Sequence, residues 1–182
     1  MRRRFRNVLV LSCAALAGAC ASSPPPATVS DIPASIRTPP NLLLTLQAHA
    51  VGTQIYQCGA ASNVSALYVW TLKAPDAALF DKNGKKIGKH YAGPTWEADD
   101  GSTVVGEVVA RENSPNGDSI PWLLLSAKTT TGRGLFGAVK FVQRVHTVGG
   151  KAPDSGCSAA QFGAERRVKY SADYFFYIAV RP

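Results

Sequence analysis

From Leu42 onward apolar and polar residues alternate with a period of two, and turn-forming residues recur every eight to twelve positions. That spacing predicts short antiparallel strands. Leu44, Leu46 and Ala48 alternate with Thr45, Gln47 and His49, and Gly52 then suggests a turn into a returning strand over 53–58. A second hairpin is marked by Asn83-Gly84, the pair that supplies the positive φ of a type I′ turn, between strands at 77–81 and 85–90. Further strands are expected at 66–72, 95–98, 103–111, 122–129, 138–147 and 167–180, the last broken near Ser171. Most are rich in Val, Tyr, Phe or Trp, which suit a pleated, half-buried surface. Only 158–162 suggests a helical turn, and no internal repeat points to a propeller or solenoid. The expected fold class is all-β, one antiparallel sandwich or barrel-like domain over 41–182.

The first forty residues obey none of this patterning. Arg2, Arg3, Arg4 and Arg6 precede a ten-residue apolar run at 8–17, and the small residues Ala17, Gly18 and Ala19 lead to Cys20. This is the layout of a secretory signal peptide over 1–19. Ten residues rise only about 15 Å as a helix, half the thickness of a bilayer core. Leu16-Ala17-Gly18-Ala19-Cys20 resembles a bacterial lipobox, with Cys20 the residue to be lipidated, although Ala17 stands where leucine is usual. Ala19-Cys20-Ala21 also fits a plain cleavage site, so secretion without a lipid stays open. Ala21 lacks the acidic character of an inner-membrane retention signal, which in a Gram-negative host directs the chain to the outer membrane, facing periplasm or cell surface. Residues 20–40, with six prolines among Ser, Thr and Ala, read as a tether reaching up to ~60 Å in extended form.

Charge then changes meaning. The full chain carries +8, with 20 basic and 12 acidic side chains. Loss of the four leader arginines leaves 16 against 12, a mature charge of +4, which removes the argument for nucleic acid as a partner. With 46% hydrophobic and 18% charged residues, disorder and a multi-span membrane protein are excluded in favour of a soluble core. Cys13 leaves with the leader and Cys20 is claimed by lipid, so Cys58 and Cys157 remain. In an oxidising compartment two cysteines most simply pair, the alternative being two separate buried thiols. No CxxC or correctly spaced histidine suggests zinc, and no cofactor or metal is expected.

Gly132-Arg133-Gly134-Leu135-Phe136-Gly137 matches GxGxxG, but a strand-like run follows where a helix would have to present its amides, so a glycine-rich turn is expected. Gly149-Gly150-Lys151 lacks the rest of a phosphate loop. GxSxG, SxxK and HExxH are absent. Lys82, Lys85, Lys86 and Lys89 make a basic hairpin that keeps a sheet edge solvated. The densest polar run is 90–102, with His90, Trp96, Glu97, Asp99 and Asp100. Its functional reading is a binding loop with Trp96 as apolar platform and Glu97 as polar orienter, or an acid–base site of a hydrolase or lyase using Glu97, Asp99 or Asp100 with His90. Its plainer reading makes Asp99-Asp100-Gly101-Ser102 a turn whose aspartates bond their own backbone. His49, His90 and His146 are isolated in sequence, and only the fold could unite them.

Several segments together resemble one family: Gln54-Ile55-Tyr56-Gln57-Cys58, the hairpin at 81–90, Gly93-Pro94-Thr95-Trp96-Glu97, Asp100-Gly101-Ser102 and Pro121-Trp122-Leu123-Leu124-Leu125. Val142-Gln143-Arg144-Val145, the run at 147–153 and the run at 170–177 complete the set. The chain is similar over about 39–180 to the domain of unknown function family 3455. The resemblance implies an exported compact domain, found in bacteria and fungi, with Cys58 and Cys157 at the family's cysteine positions and no established activity. The family often carries asparagine where this chain has His146. The expected role is a lipid-anchored envelope domain that binds a small ligand, glycan or envelope protein without catalysis; the hydrolase and a purely structural envelope protein are the alternatives.

Overall fold

The computed structural model describes residues 32–62 and 67–180. The leader, Cys20 and the first part of the tether lie outside the described residues. Eight strands follow one another: β1 (Leu42–Ala60), β2 (Tyr68–Phe80), β3 (Lys86–Tyr91), β4 (Thr95–Ala98), β5 (Thr103–Glu112), β6 (Trp122–Thr131), β7 (Val139–Gly149) and β8 (Glu165–Ala179). Each pairs antiparallel with its sequence neighbour, and β8 returns to pair with β1 from Leu42↔Ala179 to Gln57↔Glu165. The all-β expectation therefore resolves to a closed up-and-down barrel, the arrangement that leaves no free sheet edge where pairing is complete. The β2–β3 turn falls at Asn83-Gly84 as expected but is not of type I′: Gly84 takes φ 77° while Asn83 does not enter the positive-φ region, and the Asp81 carboxylate accepts from the Asn83 and Lys85 amides. The helical turn expected at 158–162 is a short 3-10 turn at Ala159–Gln161, capped by Ser158.

Two expected breaks do not occur. β1 runs straight through Gly52, paired to Ala77 on one side and Tyr170 on the other. A Cβ at Gly52 would run into the Asp76 carbonyl, so the glycine serves close strand approach rather than a turn. β8 likewise passes Ser171 without a break. The tether also ends earlier than expected: Ile32 and Ile36 are buried on the outer wall with Trp122, Leu124, Val145 and Phe175. Gln143 Nε2 donates to the Ile36 carbonyl at 2.6 Å, fixing the segment in place. The packed body thus takes in residues ahead of 41, among them Ile32 and Ile36.

Period-two alternation sends one set of side chains inward. At the lower end, where the β2–β3, β4–β5 and β6–β7 connections lie, Leu79, Trp96, Val104, Leu125, Phe136, Val142 and Phe176 fill the barrel. Each large apolar side chain so buried contributes roughly 1.5–3 kcal/mol. Phe136 comes from the glycine-rich 132–137 turn, which is a turn as its sequence implies, and plugs the barrel from below. The Asp100 carboxylate accepts from the Leu135 amide at 2.8 Å and the Ser102 hydroxyl from the Phe136 amide at 3.0 Å, so the β4–β5 turn holds the plug.

The upper end is closed differently. The long β7–β8 connection folds back over β1 and β2, packing Ala152 and Cys157 against Tyr56, Cys58 and Trp70. Cys58 and Cys157, 99 positions apart in sequence, form a disulfide. In the chain-entropy view a loop of that length is worth about 4–5 kcal/mol. Tyr56 donates from its hydroxyl to the Gly150 carbonyl at 2.6 Å and Trp70 Nε1 to the Ser155 carbonyl at 2.9 Å.

Candidate functional site

Strands β3 and β4 are short. β2 pairs with β3 only over Ala77–Phe80, and β5 pairs with β4 only over Thr103–Val105, so above the 92–94 turn the wall is incomplete between the upper parts of β2 and β5. Pro75 sits in that stretch of β2, where strand pairing to β1 alone asks no amide of it on the open side. Behind the gap, beneath the disulfide-fastened loop, lies a cavity of about 440 Å³. This is the size range of small-molecule sites.

All eight strands contribute residues to its walls. Leu72, Val108, Ile120, Leu123 and Leu125 make it apolar, while Gln54, His90, Trp96, Arg144 and Tyr174 bring polar atoms into it. His90 is buried and stacks on Trp96, with ring centroids 4.5 Å apart and planes 11° from parallel. Tyr174 meets both rings edge-on, at 5.1 and 5.3 Å. His90 Nδ1 lies 2.8 Å from the Thr95 carbonyl, an acceptor, so Nδ1 carries the proton and Nε2 keeps a lone pair. Burial pushes the His90 imidazole down to about 3; the Thr95 carbonyl opposes this and the Arg144 guanidinium adds to it. The ring is therefore neutral and an acceptor at physiological pH. Burial likewise raises the Tyr174 phenol, with Arg144 pulling the other way, and raises the Tyr170 phenol as well.

Gln54 Nε2 and Trp96 Nε1 are buried and make no hydrogen bond within the described residues, and the Tyr170 and Tyr174 hydroxyls have only each other and the Arg144 guanidinium nearby, without a bond of good geometry. A buried polar atom left alone costs about 1–3 kcal/mol. Arg144 Nε and Nη2 both donate to the Pro121 carbonyl, at 3.1 and 2.8 Å, and among the described residues no carboxylate reaches ion-pair distance of it.

The residues singled out at 90–102 are divided by the barrel wall. His90 and Trp96, register partners on β3 and β4, point inward; their neighbours Lys89 and Glu97, also partners, point outward. Glu97 accepts from the Tyr91 hydroxyl at 2.9 Å and lies 3.2 Å from Lys89 Nζ. The Tyr91 bond, then Lys89, holds its carboxyl below the usual range. Trp96 is 1% exposed, so it is a core side chain and not the expected loop platform. Asp99 and Asp100 occupy an exposed turn, as the plainer reading has it. Asp100 accepts from the Ser102 hydroxyl and amide and from the Leu135 amide, which lowers its carboxyl. Its work is to tie two turns together.

The fold does unite two histidines, on the outer wall. Asp173 on β8 accepts from His49 at 2.8 Å and from His146 at 3.2 Å, and His146 lies edge-on to Trp122 at 5.0 Å. His146 takes φ 49°, a left-handed conformation that favours Asn, Asp, His and Gly over other residues. Among the described residues no group of three or more His, Cys, Asp or Glu is arranged to hold a metal ion.

Residues 39–178 match the family described as protein of unknown function (DUF3455). The chain belongs to the DUF3455 family. No curated protein and no solved structure matches it. Gln54, Tyr170, Tyr174 and Arg144 were not singled out by sequence spacing, because they come from strands far apart in the chain. Their common signal was parity: each falls in step with the small or apolar inward positions of its own strand, such as Ala48, Val142 and Ala172.

Proposed function

We propose that this DUF3455 protein is an exported, lipid-anchored envelope protein whose barrel holds a small molecule in its upper cavity without transforming it. One observation carries the binding reading: a cavity of about 440 Å³ with a side opening, whose largely apolar wall also holds Gln54, His90, Trp96, Arg144 and Tyr174. An eight-stranded barrel is just wide enough to enclose one small ligand when its side chains do not fill it. Export is supported by the charged and apolar leader, anchoring by the lipobox-like run before Cys20, and both agree with a disulfide that an oxidising compartment would maintain. The small residue Ala21 favours the outer membrane as destination.

The acid–base alternative is weaker, because it needs a carboxylate beside His90, and Glu97, Asp99 and Asp100 lie outside the wall that His90 faces away from. The test is native mass spectrometry of full-length protein purified from its host without denaturation, beside the Val108→Trp variant, in which an indole fills the opening. A retained small molecule in the wild type and its loss from V108W are expected. Absence of any adduct, or an adduct that V108W retains in full, would remove the cavity as the binding site.

A further inference from the structure

We propose that the cavity selects organic monoanions, an apolar body bearing one carboxylate-type head, with the head seated at Arg144 and the body against the Leu123 and Leu125 wall. The inference rests on the binding reading above and adds the ligand's charge and orientation. Cavity walls show no acid at all: the ionisable lining residues are Lys73, Arg111, Arg144 and the two tyrosines, with His90. Lys73 is engaged at the rim by Glu165, and Arg111 is exposed. Arg144 is the cation set inward, on the same side of β7 as Val142 and facing Tyr174 across the β7–β8 pair.

The guanidinium is oriented before any ligand arrives. Two of its N–H groups are spent on the Pro121 carbonyl, which fixes the plane, and the Tyr174 hydroxyl is the polar group beside the rest of the guanidinium. A neutral carbonyl satisfies hydrogen-bond geometry but not charge, so the cation keeps its attraction for an anion. A single partly engaged guanidinium matches one negative charge better than the two of a phosphate monoester. The Tyr174 hydroxyl and the Gln54 amide belong to the same inner wall, and small side-chain rotations would let both donate to the head's oxygens. His90 Nε2, an acceptor, repels no proton donor and turns the ligand's uncharged polar groups toward itself. The rest of the wall is aliphatic, so the body is apolar.

The test uses a matched pair of probes, naphthoate and its uncharged alcohol naphthalenemethanol, titrated into the full-length protein by calorimetry. The wild type is expected to bind naphthoate about tenfold or more tighter than the alcohol, the scale of one charge-assisted contact. Arg144→Met should reduce that ratio to near one while the alcohol still binds, and Arg144→Lys, which keeps the charge, should retain a preference for the acid. Equal binding of the two probes by the wild type overturns the inference, and so does a preference that survives R144M. In both cases the cavity reading stands. If neither probe binds, or both bind V108W as well as wild type, the cavity reading itself fails and takes this inference with it. Should R144M not fold, the wild-type ratio and the R144K ratio still decide.

Discussion

The lower and upper halves of this barrel are built by the same alternation and end in opposite conditions. One pleat separates Val142 from Arg144 on β7 and Phe176 from Tyr174 on β8, and on β1 the small Ala48 and Ala50 give way to Gln54 and Tyr56. Below, the inward set is apolar, interlocked and plugged by Phe136. Above, it is aromatic and polar, leaves a hollow, and lacks part of its wall because β3 and β4 stop early. The difference teaches that close packing and the hollow are separated along one axis of the barrel. The lower half supplies packing sufficient to tolerate unpartnered polar atoms in the upper half, which loop and disulfide hold in place.

The comparison breaks most readily at Phe176, fully buried against Trp96 and Phe136 at the centre of the lower half. Phe176→Ala leaves a cavity that close-packed neighbours cannot collapse, and the expected loss is about 3–5 kcal/mol in urea unfolding. A loss under about 1 kcal/mol would mean that the lower half is no better packed than the upper, and the division drawn above would be void.

A pH measurement sharpens the boundary, where His90 sits. Unfolded, its imidazole takes a proton near the ordinary 6.5; folded, burial delays protonation to about 3. A histidine held neutral by the fold contributes nothing pH-dependent above 6.5, and stability is lost as pH falls from there toward 3, at about 1.4 kcal/mol per unit. Between pH 7 and pH 5 the expected loss from this residue is about 2 kcal/mol. The lowered carboxyls of Glu97 and Asp100 act with the same sign, but only below the ordinary carboxylate range, outside that interval. His90→Asn keeps a donor for the Thr95 carbonyl and removes the titration, so its unfolding free energy should be flatter from pH 7 to pH 5 than the wild type's. An identical slope would show that the cavity wets His90 enough for it to titrate freely.

The strands were legible because period-two patterning and Asn83-Gly84 act locally. Gly52 misled because glycine marks both turns and close strand contacts, and only the approach of Asp76 decides between them. The 90–102 run was read by nearness in sequence, whereas strand parity already assigns Trp96 and Glu97 to opposite faces; that information was present and outweighed by the density of polar residues. Arg144, Gln54 and Tyr174 are another matter. A polar residue in an inward register reads as an exception until barrel closure sets it beside others of its kind, and closure depends on β1 meeting β8 across the whole chain.

The smallest expected effect carries the opposite sign to the first. Gln54 is 1% exposed and its Nε2 has no partner within the described residues, so the free protein bears the desolvation of an amide it does not use internally. Gln54→Leu, close in volume, should raise the ligand-free stability by about 1 kcal/mol, while weakening the binding of naphthoate several-fold. Thermal melts with and without the acid read both at once: the variant's curve moves up alone and gains less from the ligand. In the filled half a truncation away from the cavity floor, as at Phe176, costs stability and should not touch binding; at Gln54 the two properties move against each other. Destabilisation of the ligand-free Q54L protein would instead mean that the amide is held from within, and that the upper half, like the lower, is built for the fold alone.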